Sequence, residues 1–320
     1  MTNFPSKFIE ALYAPISQFI NPDTRIYLPY IISSFLIALL YYYTRSATER
    51  KGKGLISYLF PKKIWLHPSA KQDYFIFLIN SILFVSLILP FIASSTAIFS
   101  VSYKGLKYLF GNIEMINLGQ SNTLILYTVF LWLLGDFSRF FIHYIMHKIP
   151  SLWEFHKVHH SAEVLTPLTQ YRSHPIEVLL FSIRAVLTIG FTTALFTFLF
   201  SYDLSVIEVI GVNFFRFIFL SLGANLRHSH IPIRYGRILE HLFISPAQHQ
   251  IHHSTKSDHF DTNLGSHLAI WDWLFGTLKI SKSKHKLHFG LDSSTKRAHR
   301  SLLKVYFQPF VEAYKKIRRL

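Results

Sequence analysis

Eight histidines fall in three short clusters whose spacing suits metal binding. The first is HYIMH, with His143 and His147 one helical turn apart, and the other two read FHKVHH and QHQIHH. Histidines at positions i, i+3 and i+4 share one face of a helix, and imidazole is the commonest transition-metal ligand in proteins. Eight imidazoles exceed the needs of one ion and indicate two, each with about four nitrogen ligands. The ligands predicted from spacing are His143, His147, His156, His159, His160, His249, His252 and His253.

The other histidines outside these runs carry weaker signals. Four of them lie in basic, polar surroundings, which favours solvated side chains: His67, His285, His288 and His299. Two more, His241 and His267, have no partner at a helical spacing.

Asp136 is a candidate partner for the first cluster. Clustered neutral histidines need acceptors that fix their tautomers, and Asp136 precedes His143 by seven residues on the same helical face. An ion pair with Arg139 is the alternative, and the spacing does not choose between the two. Three other charged residues lie in apolar runs and are expected to face the interior of the helix bundle: Arg184, Glu208 and Arg216.

The composition indicates an integral membrane protein. Half of the 320 residues are hydrophobic, 31 are Phe and only 16% are charged, against about 25% in an ordinary soluble domain. The absence of cysteine excludes disulfides, cysteine-bound iron–sulfur clusters and cysteine-type zinc sites. A net charge of +16 is typical of nucleic-acid binding, but beside such apolar runs it favours an anionic membrane surface, and no nucleic acid is expected.

Apolar runs predict four or five transmembrane helices. They cover about 26–43, 74–99, 123–142, 178–200 and 204–224. The first is short enough to lie in the interface instead, which leaves four. The last two are separated only by Ser201, Tyr202 and Asp203, so they are expected to form a tight helical hairpin. The first twenty residues are typical of a short interfacial segment, not a cleaved signal peptide.

Charge sets the expected topology. The loop after the first run is strongly basic, so the positive-inside rule makes it cytoplasmic, and the weakly charged stretch 100–122 should lie on the opposite side. The third span then returns to the cytoplasmic side and delivers His143 and His147 at the membrane boundary. The active site is therefore expected on the cytoplasmic face of a bacterial inner membrane or an endoplasmic-reticulum-type membrane.

The predicted fold is an all-α integral membrane protein with a cytoplasmic helical cap that holds a histidine-rich dimetal site. Residues 1–122 form an N-terminal membrane region with two spans, 123–280 form the catalytic domain, and 281–320 form a basic C-terminal tail.

The three histidine motifs, with RSHPIE and LRHSH between them and NLGSHLAIWDWLFGT after them, resemble the fatty acid hydroxylase/sterol desaturase superfamily of membrane di-iron oxygenases. The likeness covers about 130–280 and fits especially the bacterial members and the alkylglycerol monooxygenases. It implies iron at the eight clustered histidines and adds His228 as a further ligand. It makes His174 either a ligand or a neighbour of one, leaves His230 as a further candidate, and sets His259 and Asn263 beside the ligands.

The resemblance also implies the chemistry. It predicts an oxidoreductase that uses two iron ions and O2 to hydroxylate or desaturate a lipid such as a sterol, a fatty acyl chain or an ether lipid. The sequence contains no recognisable haem-binding or glycine-rich dinucleotide segment. Electrons are therefore expected from a separate donor protein or a soluble reductant.

Two other functions are alternatives for a histidine-rich membrane protein. A membrane zinc hydrolase would need a general base such as the Glu of His-Glu-x-x-His, whereas Lys157-Val158 and Gln250-Ile251 stand between these histidines. A metal transporter or metal-binding protein would place ligands near the bilayer midplane, whereas these cluster outside the predicted spans.

Overall fold

The structure is a computed structural model that describes residues 4–200, 204, 208–209, 212–282, 287–291 and 301–319. Helices dominate the described residues, as predicted. They are α1 (Phe4–Ile20), α2 (Leu28–Tyr43), α3 (Leu55–Leu59), α4 (Lys62–Trp65), α5 (Pro68–Leu83), α6 (Ser95–Phe110), α7 (Gln120–Lys148), α8 (Pro150–His160), α9 (Pro175–Leu199), α10 (Phe214–Ser221), α11 (Leu239–Leu242), α12 (Pro246–His252), α13 (Ile270–Leu274) and α14 (Leu302–Ile317). Two strands of two residues each, β1 (Glu208–Val209) and β2 (Val212–Asn213), pair in antiparallel orientation. His285 and His299 lie outside the described residues.

Three helical segments among the described residues are long and apolar enough to cross a membrane. They are Pro68–Ile88, Gln120–Lys148 and Pro175–Leu199. The last two contain the predicted spans 123–142 and most of 178–200. The first predicted span, 26–43, corresponds to α2, whose sixteen residues extend only about 24 Å, short of the roughly 30 Å of hydrocarbon in a bilayer.

The predicted span 74–99 is wrong at its C-terminal end. Helix α5 ends at Leu83, a π-helical turn covers Phe84–Ile88, and a short 3₁₀ turn covers Leu89–Phe91. Pro90 lies in that turn, where it cannot donate the backbone hydrogen bond that would continue the helix. Ser94 then caps a new helix, since its side chain accepts a hydrogen bond from the Ala97 amide.

The weakly charged stretch 100–122, whose side of the membrane stays a prediction, is helical in its first half, because α6 continues to Phe110. Helix α6 packs closely along α9. A Cβ placed on Gly190 would lie 2.6 Å from Cβ of Ile98, so only glycine permits this approach. The two helices therefore form a tight pair that the hydrophobic pattern alone did not predict.

The predicted helix over 204–224 is wrong in its first half. The described residues there include β1 and β2, and α10 begins only at Phe214, where the Asn213 side chain accepts hydrogen bonds from the first-turn amides. The linker 201–203 of the predicted helical hairpin lies outside the described residues. The described residues contain three long apolar segments, so the predicted count of four or five spans stays a prediction, as does the cytoplasmic position of the cap.

The two terminal helices brace the long ones. Helix α1 packs on α5 and leaves Ile9, Leu12 and Ile16 exposed, as expected of an interfacial segment. Helix α14, within the predicted basic tail, buries Val305 and Ala313 and packs along α8. An apolar cavity of about 410 Å³ remains between α14, α5 and the start of α9.

Candidate metal centre

The structure brings all nine predicted ligands together in two adjacent groups. We call one the five-histidine group: His143, His147, His156, His160 and His252. We call the other the four-histidine group: His159, His228, His249 and His253. In each group, every ring offers one nitrogen, and these nitrogens all lie within 4.8 Å of one another. That these residues bind metal stays a prediction, but their convergence is a property of the fold.

Four elements supply the rings. The C-terminal turns of α7 carry His143 and His147, and α8 begins directly afterwards because Pro150 occupies its first turn. Helix α12 begins with a capping box in which Ser245 and Gln248 satisfy each other's backbone amides. His228 ends a 3₁₀ turn that follows Gly223, a residue with a positive φ of 83°. Helices α8 and α12 each contribute to both groups, so the groups share two walls.

Ring nitrogens of the four-histidine group converge on one point. His228 Nε2 lies 3.2 Å from Nε2 of His159 and 3.1 Å from Nε2 of His253. It lies 3.0 Å from Nε2 of His249. Two nitrogens held about 2.1 Å from one ion at roughly 90–110° lie roughly 3.0–3.4 Å apart. One imidazole N–H cannot satisfy three neighbouring nitrogens, so this spacing fits a shared cation better than hydrogen bonds.

The ring nitrogens of the five-histidine group are likewise close together and short of hydrogen-bond partners. His143 Nε2 lies 2.9 Å from His156 Nε2. The Nε2 atoms of His147, His160 and His252 are buried and have no hydrogen-bond partner among the described residues. A buried polar atom left without a partner is costly. A metal ion ligated by these nitrogens would remove that cost, and neutral imidazoles suit iron, zinc, copper or nickel.

Outer nitrogens of several rings are held by backbone carbonyls. Nδ1–H of His143 donates to the carbonyl of Leu264 over 2.7 Å, and that of His252 donates to the carbonyl of Thr262 over 2.9 Å. His159 donates in the same way to the Arg172 carbonyl over 3.2 Å. Because a carbonyl can only accept, each contact assigns the proton to Nδ1 and leaves Nε2 free for a ligand.

Two carboxylates lie beside the outer nitrogens of two further rings, and the Asp261 carboxylate is hydrogen-bonded to its ring. Glu177 Oε1 lies 3.2 Å from Nδ1 of His156, and Asp261 Oδ1 lies 3.2 Å from Nδ1 of His147. Sequence reasoning missed both. A signal for Glu177 existed, since it ends the RSHPIE motif, which was used only for its histidine. No pattern marks Asp261, which adopts a positive φ of 55° in a loop.

Burial keeps the rings neutral. It lowers the pKa of His159 to about 3 and that of His252 to about 3. Burial likewise holds the pKa of His160 and of His228 well below the usual range, with neighbouring histidines adding to the effect. Neutral imidazole is the form that binds metal, so the groups need no deprotonation near neutral pH.

A buried ion pair fixes helix α8, and sequence reasoning missed this as well. The Arg172 guanidinium donates to the Val158 carbonyl over 3.0 Å and to Ser161 Oγ over 2.9 Å, and so caps the helix. It also pairs with Asp73 of α5 over 2.7 Å, where both side chains are almost fully buried. Since the Arg172 carbonyl accepts from His159, the same residue sets both the helix end and one ring.

Both expectations for Asp136 are wrong. Its carboxylate accepts hydrogen bonds from the amides of His267 and Leu268 over 2.9 Å each, and from Trp271 Nε1 over 3.0 Å. It contacts neither a ring of the two groups nor Arg139. Instead it ties α7 to the loop before α13, and so His267, which carried a weak signal, is buried beside it.

Two further candidates lie outside both groups. The His174 ring accepts from the Ile176 amide as the cap of α9, and its Nε2 lies 3.0 Å from the Tyr306 carbonyl. The His230 ring donates to the Tyr58 carbonyl over 2.7 Å. Both rings therefore have other partners.

The remaining two candidates lie on the loop after α12. Asn263, at a φ of 54°, donates to the Gln248 carbonyl over 3.1 Å and so supports the helix that carries His249. His259, four residues before Asn263 in the chain, is buried. Neither belongs to a group, but the His259 carbonyl accepts a hydrogen bond from the hydroxyl of Thr262, whose own carbonyl orients His252.

Comparison with known proteins places this site in one segment. The fatty acid hydroxylase family model matches residues 128–277, which contain every ring of both groups. An ornithine lipid hydroxylase of Rhizobium tropici is 28% identical over 55% of this chain and 48% of its own length. Alkylglycerol monooxygenases of Xenopus tropicalis and Homo sapiens are 25% and 24% identical, each over 58% of this chain and 38% and 37% of their own length.

The chain thus spans less than half the length of these relatives. No solved structure matches it. The matches confirm the resemblance drawn from the histidine motifs.

Proposed function

We propose, from the match of residues 128–277 to the fatty acid hydroxylase family model, that the chain is a membrane-bound oxidoreductase that hydroxylates a lipid with O2. The observation that carries the proposal is the pair of adjacent histidine groups inside the matched segment. Relatives named as a lipid hydroxylase and as monooxygenases support hydroxylation over desaturation. Two iron ions bound at the groups would supply the reduction of O2 and the oxidising power needed to attack a C–H bond.

The nine rings would serve as the ligands, with Nε2 as the binding atom where Nδ1–H is already donated. Glu177 and Asp261 would hold two rings of the five-histidine group in place and raise their basicity. Arg172 would keep α8 fixed while ligands exchange. No protein nucleophile is required in this scheme.

Membrane attachment follows from the three long apolar segments, two of which, α7 and α9, lead directly into the site. A lipid could therefore reach the rings without leaving the bilayer. We propose that the site faces the cytoplasm, as the basic loop 44–71 suggests. Electrons would come from a separate donor protein or a soluble reductant.

Metal analysis and isotope labelling test the function together. The chain is expressed under 18O2, its host lipids are profiled by mass spectrometry, and metal is measured in anaerobically purified protein with Mössbauer spectroscopy. We expect about two irons per chain and a lipid that carries one 18O atom. His159→Ala should abolish the labelled lipid because it leaves only three rings in the four-histidine group.

His241→Ala is the matched control, since His241 lies outside both groups and the hydrogen bond of its ring among the described residues is to the Arg237 carbonyl. It should retain iron and the labelled product. Stoichiometric zinc without iron would overturn the redox assignment, and iron without any labelled lipid would overturn hydroxylation.

A further inference from the structure

The short helices α11 and α13 carry an exposed apolar surface, which we call the α11–α13 surface. Its six large side chains are exposed by 39% to 80%, and they are Ile238, Leu239, Leu242, Trp273, Leu274 and Phe275. The two helices lie side by side, since the Ala269 amide donates to the Leu242 carbonyl over 2.9 Å and the Ile244 amide donates to the His267 carbonyl over 3.0 Å. A large apolar patch on a protein surface marks an interaction site.

The acidic residues of the same two helices face inward. Glu240 is fully buried and accepts hydrogen bonds from the hydroxyls of Ser245 over 2.8 Å and Ser281 over 2.6 Å. Asp272 is also fully buried and accepts from the Leu264 amide over 2.7 Å. Carboxylates inside and large apolar side chains outside are the reverse of what a helix in contact with water presents.

Contacts with α7 set the depth of the α11–α13 surface. The ring centroid of Phe275 lies 5.0 Å from that of Phe140, and the ring centroid of Trp271 lies 5.1 Å from that of Phe137. Phe137 precedes the end of the predicted span 123–142 by five residues, which is about 7.5 Å along the helix axis. Helix α13 therefore lies beside the last turns of a segment that is long and apolar enough to cross a membrane.

The surface is also continuous with the outer side of α7. Phe141 is 40% exposed on α7, and its ring stacks on that of Phe137 with centroids 6.0 Å apart. Phe137 in turn contacts the exposed Phe275 at 6.3 Å between centroids. A row of aromatic rings thus joins the outer side of α7 to the α11–α13 surface, and the lipid around α7 reaches that surface without a break.

We propose that the α11–α13 surface inserts into the lipid bilayer and attaches the chain to the membrane beside its long apolar segments. The depth set by Phe137 agrees with the roughly 5–10 Å to which interfacial helices bury their apolar faces. Trp273 suits this position, because tryptophan favours the boundary between hydrocarbon and headgroups. Arg234 and Arg237, exposed just before Ile238, then meet lipid phosphates.

A hydrogen-bonded path joins the inserted surface to the metal centre. Asp272 of α13 accepts from the Leu264 amide, and the Leu264 carbonyl accepts from Nδ1–H of His143. The helix that inserts and a ring of the five-histidine group are therefore held by the same residue. Insertion fixes the height of that ring relative to the lipid.

A single fluorescent label tests insertion. The chain contains no cysteine, so Leu274→Cys carries a nitrobenzoxadiazole label at one position of the full, iron-loaded chain. The protein is placed in vesicles of phosphatidylcholine and phosphatidylglycerol, where nitroxide-labelled phosphatidylcholine quenches a probe in the bilayer and iodide quenches a probe in water. Compared with a label at a water-exposed position, we expect several-fold stronger quenching by the nitroxide lipid and several-fold weaker quenching by iodide.

Two variants supply the references. Lys256→Cys labels an exposed loop residue whose side chain pairs with Asp258, and it gives the values for water. Leu187→Cys labels an exposed residue in the middle of α9 and gives the values for the bilayer. Iron content verifies that each variant is folded. If Leu274→Cys loses its iron, Leu239→Cys on α11 replaces it with the same expected result.

Quenching of the Leu274→Cys label that matches Lys256→Cys with both reagents would overturn the proposal. A label shielded from iodide but not quenched by the nitroxide lipid would also overturn it, because a second protein or a second copy of the chain would then cover the surface. Neither result affects the hydroxylase proposal, which depends on the 18O-labelled lipid.

Discussion

The five-histidine and four-histidine groups share α8 and α12 but are supported differently. In the five-histidine group, two carboxylates and two backbone carbonyls lie against outer ring nitrogens. In the four-histidine group, the acceptor of an outer ring nitrogen among the described residues is a single carbonyl, that of Arg172. Because an outer carboxylate orients a ring and raises its basicity, we expect the five-histidine group to hold metal more tightly.

The largest expected difference is in iron content, when one ring is removed from one group or from the other. His249→Ala leaves three nitrogens in its group, and His160→Ala leaves four in the other. We expect the first variant to fall from about two irons per chain to about one, and the second to keep most of both. Metal analysis after gel filtration measures this, with His241→Ala as the control. Equal losses in the two variants would show that the groups do not act separately.

A smaller effect is expected from the carboxylates. Glu177→Gln removes the charge beside His156 in a fully buried setting, and should weaken metal binding about 10–100-fold. Asp261→Asn should weaken it less, because Asp261 is 39% exposed and also pairs with Lys148 over 2.8 Å. Competition with a chelator ranks the variants. Asp258→Asn, an exposed carboxylate on the same loop, is the control, and an effect of Asp261→Asn above that of Glu177→Gln would contradict this ranking.

The smallest expected effect is on how the unfolding free energy of the metal-free protein depends on pH. One ring of each group, His159 and His252, has its pKa lowered by burial to about 3, against about 6.5 in an unfolded chain. The unfolded chain takes up these protons first, so their contribution to stability is complete above pH 6.5 and declines as pH falls towards 3. Each ring changes the unfolding free energy by at most about 1.4 kcal/mol per pH unit.

Denaturant unfolding at pH 7.5, 6.5 and 5.5 measures that slope. Each of His159→Gln and His252→Gln should reduce the change in unfolding free energy between pH 6.5 and 5.5. Between pH 7.5 and 6.5 the unfolding free energy should stay nearly constant. A slope unchanged in both variants would mean that these rings already carry protons in the folded chain.

The sequence predicted the site better than it predicted the scaffold. Residues three and four positions apart lie on one face of a helix, so the shared face of His156, His159 and His160 could be predicted directly from their spacing. The likeness to a known family then added His228, whose place after a 3₁₀ turn has no periodic signal. The motifs also contained Glu177, although its contact with His156 depends on how α9 approaches α8.

The remaining errors have physical causes. Hydrophobicity continues through Pro90, so the apolar run 74–99 hides the place where the helix must break. The partners of Asp136 lie more than 130 residues away in the chain, and no local pattern announces such a contact. Apolar residues over 204–224 suit a short strand pair as well as a helix, and Asn213 decides where α10 begins.

Helix α14 lies outside the family-matched segment yet packs along α8. During synthesis the three rings of α8 are made 157 residues before α14 is complete, an interval of roughly 8–30 s at ordinary elongation rates. Throughout that time α8 lacks the helix that packs against its Phe155 and Val158. A chain released before α14 is complete would therefore leave this face of α8 open.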